Sequence, residues 1–177
     1  FADELIYLRE LGDDDISDRY ISWLNDSEIN QYLDTRFSKQ NFESVQDFVR
    51  MNKNSKNDYL LGIFTADNDV HIGNIKLGRI NEHNRRADIS YLIGDMAWWG
   101  KGVATRAIGL VCRLGFETFG PEKLTAGVYQ FNLASEIVLE RNGFVVEGVR
   151  REQGLFGDRR ADLTLFGLLR KEWLSKH

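Results

Sequence analysis

The feature that most constrains this chain is a change of hydrophobic period at "YLIGDMAWWGKGVATRAIG", Tyr91 to Gly109. Upstream of it, "DYLLGIFTA", "VHIGNIKLGRI" and "RRADISYLIG" read as three strands, separated by the short polar turns "DNDV" and "NEHN" of hairpin type. Downstream, Ala104, Ala107, Ile108, Val111, Leu114 and Thr118 fall on one face at a period of about 3.6. An antiparallel meander therefore feeds a helix through a Gly-Lys-Gly turn. The chain then reads as strand "KLTAGVYQF", helix "NLASEIVLERNG" with Gly143 as its C-cap, and strands "FVVEGVRREQG" and "RADLTLFGLLRKEWL". A strand–helix–strand unit in one sheet makes a right-handed parallel crossover. The expected fold is α/β, with a mixed sheet whose parallel strand pair meets at the start of the central helix.

The N-terminal part adds a first strand in "LIYLRE". A helix follows in "DDDISDRYISWLND", with Asp or Ser at capping positions before Ile16, Tyr20, Trp23 and Leu24. Two more helical pieces are expected at Ser27 to Leu33 and Asn41 to Asn52. With 177 residues, 42% hydrophobic content, no repeat and no linker, the chain supports a single domain spanning residues 1–177, as monomer or homodimer. No apolar run approaches the roughly 20 residues of a membrane span, and the first residues are acidic, so a soluble cytoplasmic protein without a membrane partner is expected. Cys112 is the only cysteine, and His71, His83 and His177 are scattered, so no metal site is expected. The net charge of −4 gives no footprint for nucleic acid. An anionic ligand would need a local device.

Three chemistries compete for the Gly100 to Thr105 loop. Helix N-termini expose unpaired N–H groups, and glycine lets an anion approach them, so Gly100, Lys101, Gly102, Val103, Ala104 and Thr105 can cradle a pyrophosphate. A nucleoside-triphosphate loop fits poorly, because Lys101 is followed by Gly102 and not by Ser or Thr. The dinucleotide fingerprint fits only in part, since Gly100-x-Gly102 continues to Thr105 and a meander precedes it. A plain turn that merely starts a helix is the third.

The rest of the chain bears on that choice. Trp99-Gly100-Lys101-Gly102-Val103-Ala104 is similar to the acetyl-coenzyme A signature Gln/Arg-x-x-Gly-x-Gly/Ala, with Trp99 departing at the first position. "NLASEIVLERNGF" matches a second motif through Asn132, Ser135, Gly143 and Phe144, and "EGVRREQGLFGDRRADLTLFGLL" resembles a closing hairpin. Together they resemble the GNAT family of N-acetyltransferases, in the subgroup of ribosomal-protein N-terminal and spermidine acetyltransferases. The resemblance implies a splayed parallel strand pair. It implies that the pantetheine arm of acetyl-CoA pairs with Tyr91, Leu92 and Ile93, that the pyrophosphate rests on Gly100 to Thr105, and that Asn132 binds the pantetheine. It also implies direct attack by a primary amine, without a metal.

Acetyl transfer sets two proton problems. Neutralising a lysine-like amine of pKa about 10.4 at pH 7 costs roughly 4 to 5 kcal/mol, an α-amino group near 8 a little over 1, and releasing a thiolate of pKa about 8.5 about 2. In many relatives a tyrosine seven residues after the motif Asn serves as acid; here Leu139 stands there, and Ser135 is the candidate replacement. Asp88, on the strand leading to the platform, is the candidate base; pairing with Arg85 or Arg86 is the competing role. Glu82, His71, Glu152, Asp158 and Asp162 remain unranked alternatives. The first helices and last hairpin are expected to wall the acceptor site. There Asp15, Asp18 and Asp26 serve as caps or attract a polyamine or peptide terminus, and Arg36 forms a surface ion pair or meets a sugar-nucleotide phosphate. A non-catalytic acyl-CoA-binding module is the rival reading.

Overall fold

The computed structural model describes residues 1–176. Seven strands form one sheet: β1 (Ile6–Glu10), β2 (Tyr59–Thr65), β3 (His71–Asn81), β4 (Arg86–Ile93), β5 (Lys123–Tyr129), β6 (Val145–Phe156) and β7 (Arg159–Leu169). Their order across the sheet is β1-β2-β3-β4-β5-β7-β6. Five α-helices accompany them: α1 (Asp18–Asn25), α2 (Phe42–Lys53), α3 (Val103–Leu114), α4 (Leu133–Arg141) and α5 (Arg170–Leu174). All neighbours pair antiparallel except β4 and β5, the strands joined by α3.

That parallel pair is short. Only Arg86, Ala87 and Asp88 pair with Lys123, Leu124 and Thr125. Beyond them β4 continues on β3 as far as Ile93, and β5 continues on β7 as far as Tyr129. The sheet opens between Ile89–Ile93 and Ala126–Tyr129, and the expected splay is present.

The period-two pattern sorts residues onto the two faces of the sheet. Leu61, Ile63, Ile75, Leu77, Ala87 and Ile89 join Ala107, Ile108, Val111 and Leu114 of α3 in one core, which also takes Leu139 and Trp173. Leu60 and Phe64 face Tyr20 and Trp23 of α1 and Val45 and Val49 of α2 in the other. On β4, Tyr91 and Ile93 pack on the α3 side, while Leu92 packs on the α1 side.

Two local expectations are corrected. Residues 27–33 form turns and no helix. Asp26 Oδ1 accepts from the N–H groups of Glu28 and Ile29, and Asn30 Nδ2 donates to the Leu24 carbonyl; such side-chain bonds compete with a helical ladder. The last strand stops at Leu169, and residues 170–174 form α5. The Leu169 N–H donates to the Glu172 carboxylate at 2.9 Å, and Trp173 is buried with its ring 5.3 Å from that of Phe116. Packing of that tryptophan ends the strand. The expected C-cap holds, with Gly143 at φ +86° and its N–H on the Glu140 carbonyl.

Candidate active site

The splay opens into a cleft of about 710 Å³. One wall is Tyr91, Leu92 and Ile93 of β4, and another is the loop and first turn of α3, from Trp98 to Thr105. A third is the segment from Phe131 to Ser135 at the start of α4. Of the expected ligand-binding residues, Tyr91, Leu92, Ile93, Gly100, Gly102, Val103, Ala104, Thr105 and Asn132 line this one space, together with Ser135. Lys101 does not; its ammonium lies 5.1 Å from the Trp98 ring, a cation–π contact at the rim.

The cradle has the properties of an anion site. Gly100 and Gly102 take φ of +70° and +80°, a left-handed backbone that brings successive N–H groups to one side, and no atom stands within 4 Å of where a Cβ would be built on either. α1, α2 and α4 are capped by the side chains of Ser17, Asn41 and Asn132. Gly102 caps α3 with no side chain, so the first-turn N–H groups of α3 are left to the cleft. Trp99 Nε1 donates to the Ile93 carbonyl at 2.8 Å, fastening the loop to the end of the platform.

Opposite the cradle, Asn132 accepts from the Ser135 N–H at 3.3 Å, so part of its side chain serves α4 itself. Asn142 Nδ2 donates to the Thr105 carbonyl at 3.1 Å and to that of Val138 at 2.9 Å, locking α4 against α3. The Tyr91 hydroxyl lies 2.8 Å from Ser135 Oγ. Burial holds the Tyr91 phenol above its ordinary range despite the opposing pull of Ser135, so it stays protonated at neutral pH. Leu139, where relatives of the resembled family carry tyrosine, is 1% exposed and belongs to the core. Cys112 is buried and free, and burial pushes its thiol up, which leaves it no part as a nucleophile.

Asp88 stands apart from Ser135. It is the last paired residue of β4 before the splay and accepts a hydrogen bond from Thr125 Oγ1 across the parallel pair. It also pairs with Arg79 at 3.4 Å, and not with Arg85, which meets Glu122 at 2.7 Å, or with Arg86. By strand alternation it shares a face with Leu92, opposite to Tyr91. His71 is enclosed by Tyr20, Trp23 and Phe64, with Nε2 donating to the Gly73 carbonyl and Asn74 Oδ1 while Nδ1 is buried without a partner, a histidine packed into the fold and only half satisfied. His177 lies outside the described residues.

The acceptor-side wall was only partly legible. Glu28, Ile29, Gln31, Tyr32 and Leu33 line the cleft together with Phe131, and Glu28 is the one carboxylate among the lining residues described. The turn bearing them is tied down by Tyr32 Oη donating to the Phe131 carbonyl at 2.8 Å and by Arg36. Arg36 is 11% exposed, stacks on Phe37 and Phe156, and donates to the carbonyls of Leu33 and Leu155. Two of its five N–H donors serve these carbonyls, it lies 3.7 Å from the Asp34 carboxylate, and it is not among the residues lining the cleft, so of its two expected roles the ion pair is the one present. Asp15 is paired with Arg9 at 2.7 Å, and Asp26 closes its own turn. No single residue type marks this wall in the sequence, because aromatic, aliphatic and carboxylate groups from two distant segments build it.

Among the described residues no helix is long and apolar enough to cross a membrane, and no group of three or more His, Cys, Asp or Glu is placed to hold a metal ion. A 96-residue match at 40% identity to the Bacillus subtilis protein named Probable N-acetyltransferase YjcK spans 54% of this chain and 52% of that one, about half of each. Uncharacterized N-acetyltransferase YoaA of the same organism is 31% identical over 85% of both chains. The crystal structure of spermidine N-acetyltransferase from Vibrio cholerae in complex with CoA and spermine superposes with a TM-score of 0.85 at 22% identity, covering 96% of this chain and 98% of that one. The sequence profile of the acetyltransferase (GNAT) domain matches residues 6–145, and with it this chain belongs to the GNAT family of N-acetyltransferases.

Proposed function

We propose that residues 1–177 act as one N-acetyltransferase domain, working in the cytoplasm as a monomer or homodimer, that moves the acetyl group of acetyl-CoA to an α-amino group by direct attack. The observation that carries the donor assignment is the uncapped first turn of α3, opening on the same cleft as the unpaired edge of β4. An unpaired strand edge asks for a partner with amide groups, and an uncapped helix start asks for an anion. Pantetheine with its pyrophosphate supplies both, and Tyr91 to Ile93, Gly100 to Thr105 and Asn132 are the residues that would hold it. Acetyl-CoA brings the activated thioester; the chain supplies position, with Ser135 facing the leaving sulfur.

The acceptor class follows from what the acceptor wall lacks. Arg36 is turned to the carbonyls of Leu33 and Leu155 and to Asp34 and does not line the cleft, which makes it a poor partner for a sugar-nucleotide phosphate. Asp15 and Asp26 are consumed in an ion pair and a turn, which leaves Glu28 as the lining carboxylate, too little charge for a polyamine trough. An α-amino group needs only a little over 1 kcal/mol of deprotonation at pH 7, a demand that Asp88 at the throat or Glu28 can meet through solvent. A peptide or protein N-terminus therefore fits this cleft better than an amino sugar nucleotide or a polyamine.

The test is free-thiol release from acetyl-CoA with a panel of peptides bearing free α-amino ends, spermidine and an amino sugar nucleotide. Turnover preferring the peptides is expected. Tight acetyl-CoA binding without turnover on any of them would establish the rival reading, a non-catalytic acyl-CoA module.

A further inference from the structure

Ser135 by itself is a poor group to place at a leaving thiolate. An aliphatic hydroxyl rotates freely among several acceptors, and its proton is observed only through its neighbours. Here one neighbour decides. Tyr91 Oη sits 2.8 Å from Ser135 Oγ, reaching from β4 to the first turn of α4 across a contact of 44 residues in sequence. Of the two hydroxyls the phenol is the more acidic and therefore the donor. With Tyr91 donating, a lone pair of Ser135 Oγ is occupied and the Ser135 proton turns away from the phenol into the cleft that both residues line. The serine N–H meanwhile is held by the Asn132 carbonyl at 3.0 Å and Oδ1 at 3.3 Å, fixing the backbone from which the hydroxyl projects.

We propose that Tyr91 is a positioning residue that orients and polarises the Ser135 hydroxyl toward the coenzyme A sulfur, so that the pair acts as one hydrogen-bond donor to the leaving thiolate. The proposal rests on the acetyl-CoA reading above and adds a role for the Tyr91 side chain, which the platform assignment uses only through its backbone. In the step concerned, the amine nitrogen bonds to the carbonyl carbon and the carbon–sulfur bond breaks, with its electron pair remaining on sulfur. The Ser135 proton hydrogen-bonds that sulfur while the proton lost by nitrogen goes to solvent. Neither hydroxyl needs to ionise, which suits a buried phenol. Leu139 explains why the device is built from β4: that α4 position turns into the core and offers no hydroxyl.

The decisive measurement needs no acceptor. The thiol of bound CoA is titrated by its ultraviolet thiolate absorbance in the wild type, Tyr91→Phe, Ser135→Ala and the double variant, each checked for fold by circular dichroism. A donor aimed at sulfur lowers the bound thiol pKa. Ser135→Ala and Tyr91→Phe are both expected to raise it by about half a unit or more, and the double variant to match Ser135→Ala alone, since the phenol acts through the serine. With acetyl-CoA and a peptide bearing a free α-amino end, Tyr91→Phe should lower kcat about tenfold and leave KM for acetyl-CoA within about twofold. A shift in Ser135→Ala but none in Tyr91→Phe would overturn the proposal and leave the acetyl-CoA site standing. Additive shifts would overturn it too. Failure of the wild type to bind CoA would instead overturn the site assignment, and this proposal with it.

Discussion

The Trp99 indole reaches back six residues to donate its N–H to the carbonyl of Ile93, at 2.8 Å. This bond joins the end of the β4 platform to the start of the anion cradle, and it accounts for a tryptophan where the resembled signature has Gln or Arg. A polar side chain there would address a ligand directly; the indole fixes the loop, and in the proposed site the anion would be left to backbone N–H groups. Trp99→Phe keeps an aromatic ring but deletes the indole N–H and frees the carbonyl, at a cost of about 1 kcal/mol. Calorimetric titration with acetyl-CoA should show affinity weakened roughly fivefold.

Gly102→Val should weaken acetyl-CoA binding about tenfold or more while the protein still folds. No atom stands within 4 Å of an added Cβ, so the penalty is the left-handed backbone at φ +80°, about 1 to 2 kcal/mol, and it falls on the cradle and not on the core. Unchanged affinity by calorimetry would remove the loop from the site.

Arg36→Met tests the acceptor wall. It keeps the apolar stem but deletes the bonds to Leu33 and Leu155, with an expected loss of about 2 kcal/mol of stability. With the turn loosened from the β6–β7 hairpin, KM for the amine should rise severalfold and KM for acetyl-CoA should hold. A rise in both would mean that Arg36 supports the whole cleft.

His71 makes stability depend on pH. Burial is the largest influence on it and lowers its pKa below 6.5, against the opposing effects of Asn74, Gly73 and Asp15, with Arg19 adding to the lowering. Below pH 6.5 the unfolded chain takes up a proton that the folded one refuses, so stability is full above that pH and declines as pH falls toward the folded pKa. Thermal midpoints measured from pH 7.5 down to 5 should fall for the wild type, and the fall should flatten in His71→Gln. Parallel profiles would assign the dependence to other groups.

Much of this was legible in sequence because it is local. Period two in "RRADISYLIG" and period 3.6 after Gly102 place the platform and the helix, and two glycines beside a helix start describe an anion cradle without any tertiary information. The misreadings were local signals that longer contacts overrode. Ser27 to Leu33 carries helical spacing, but the Asp26 side chain takes its N–H groups and that of Asn30 reaches back to the Leu24 carbonyl; Arg170 to Trp173 continues a strand-like run until Trp173 docks on Phe116. Arg36 looks like a surface charge until Leu155, 119 residues away, arrives at its guanidinium.

The sequence by itself determined most of the order of strands and helices and the glycine turn that starts α3, since each depends on neighbours within one or two turns of chain, and the parallel crossover followed from that order by the handedness rule for strand–helix–strand units. Only the tertiary structure decided which hydroxyls meet. Tyr91 and Asp88 lie three residues apart on one strand, yet alternation turns Tyr91 toward α4 and Ser135 and Asp88 to the opposite face, where it bonds Thr125 at the throat. A side chain's partners across the splay depend on how far two strands part and how a helix packs over the gap, and those are properties of the closed core.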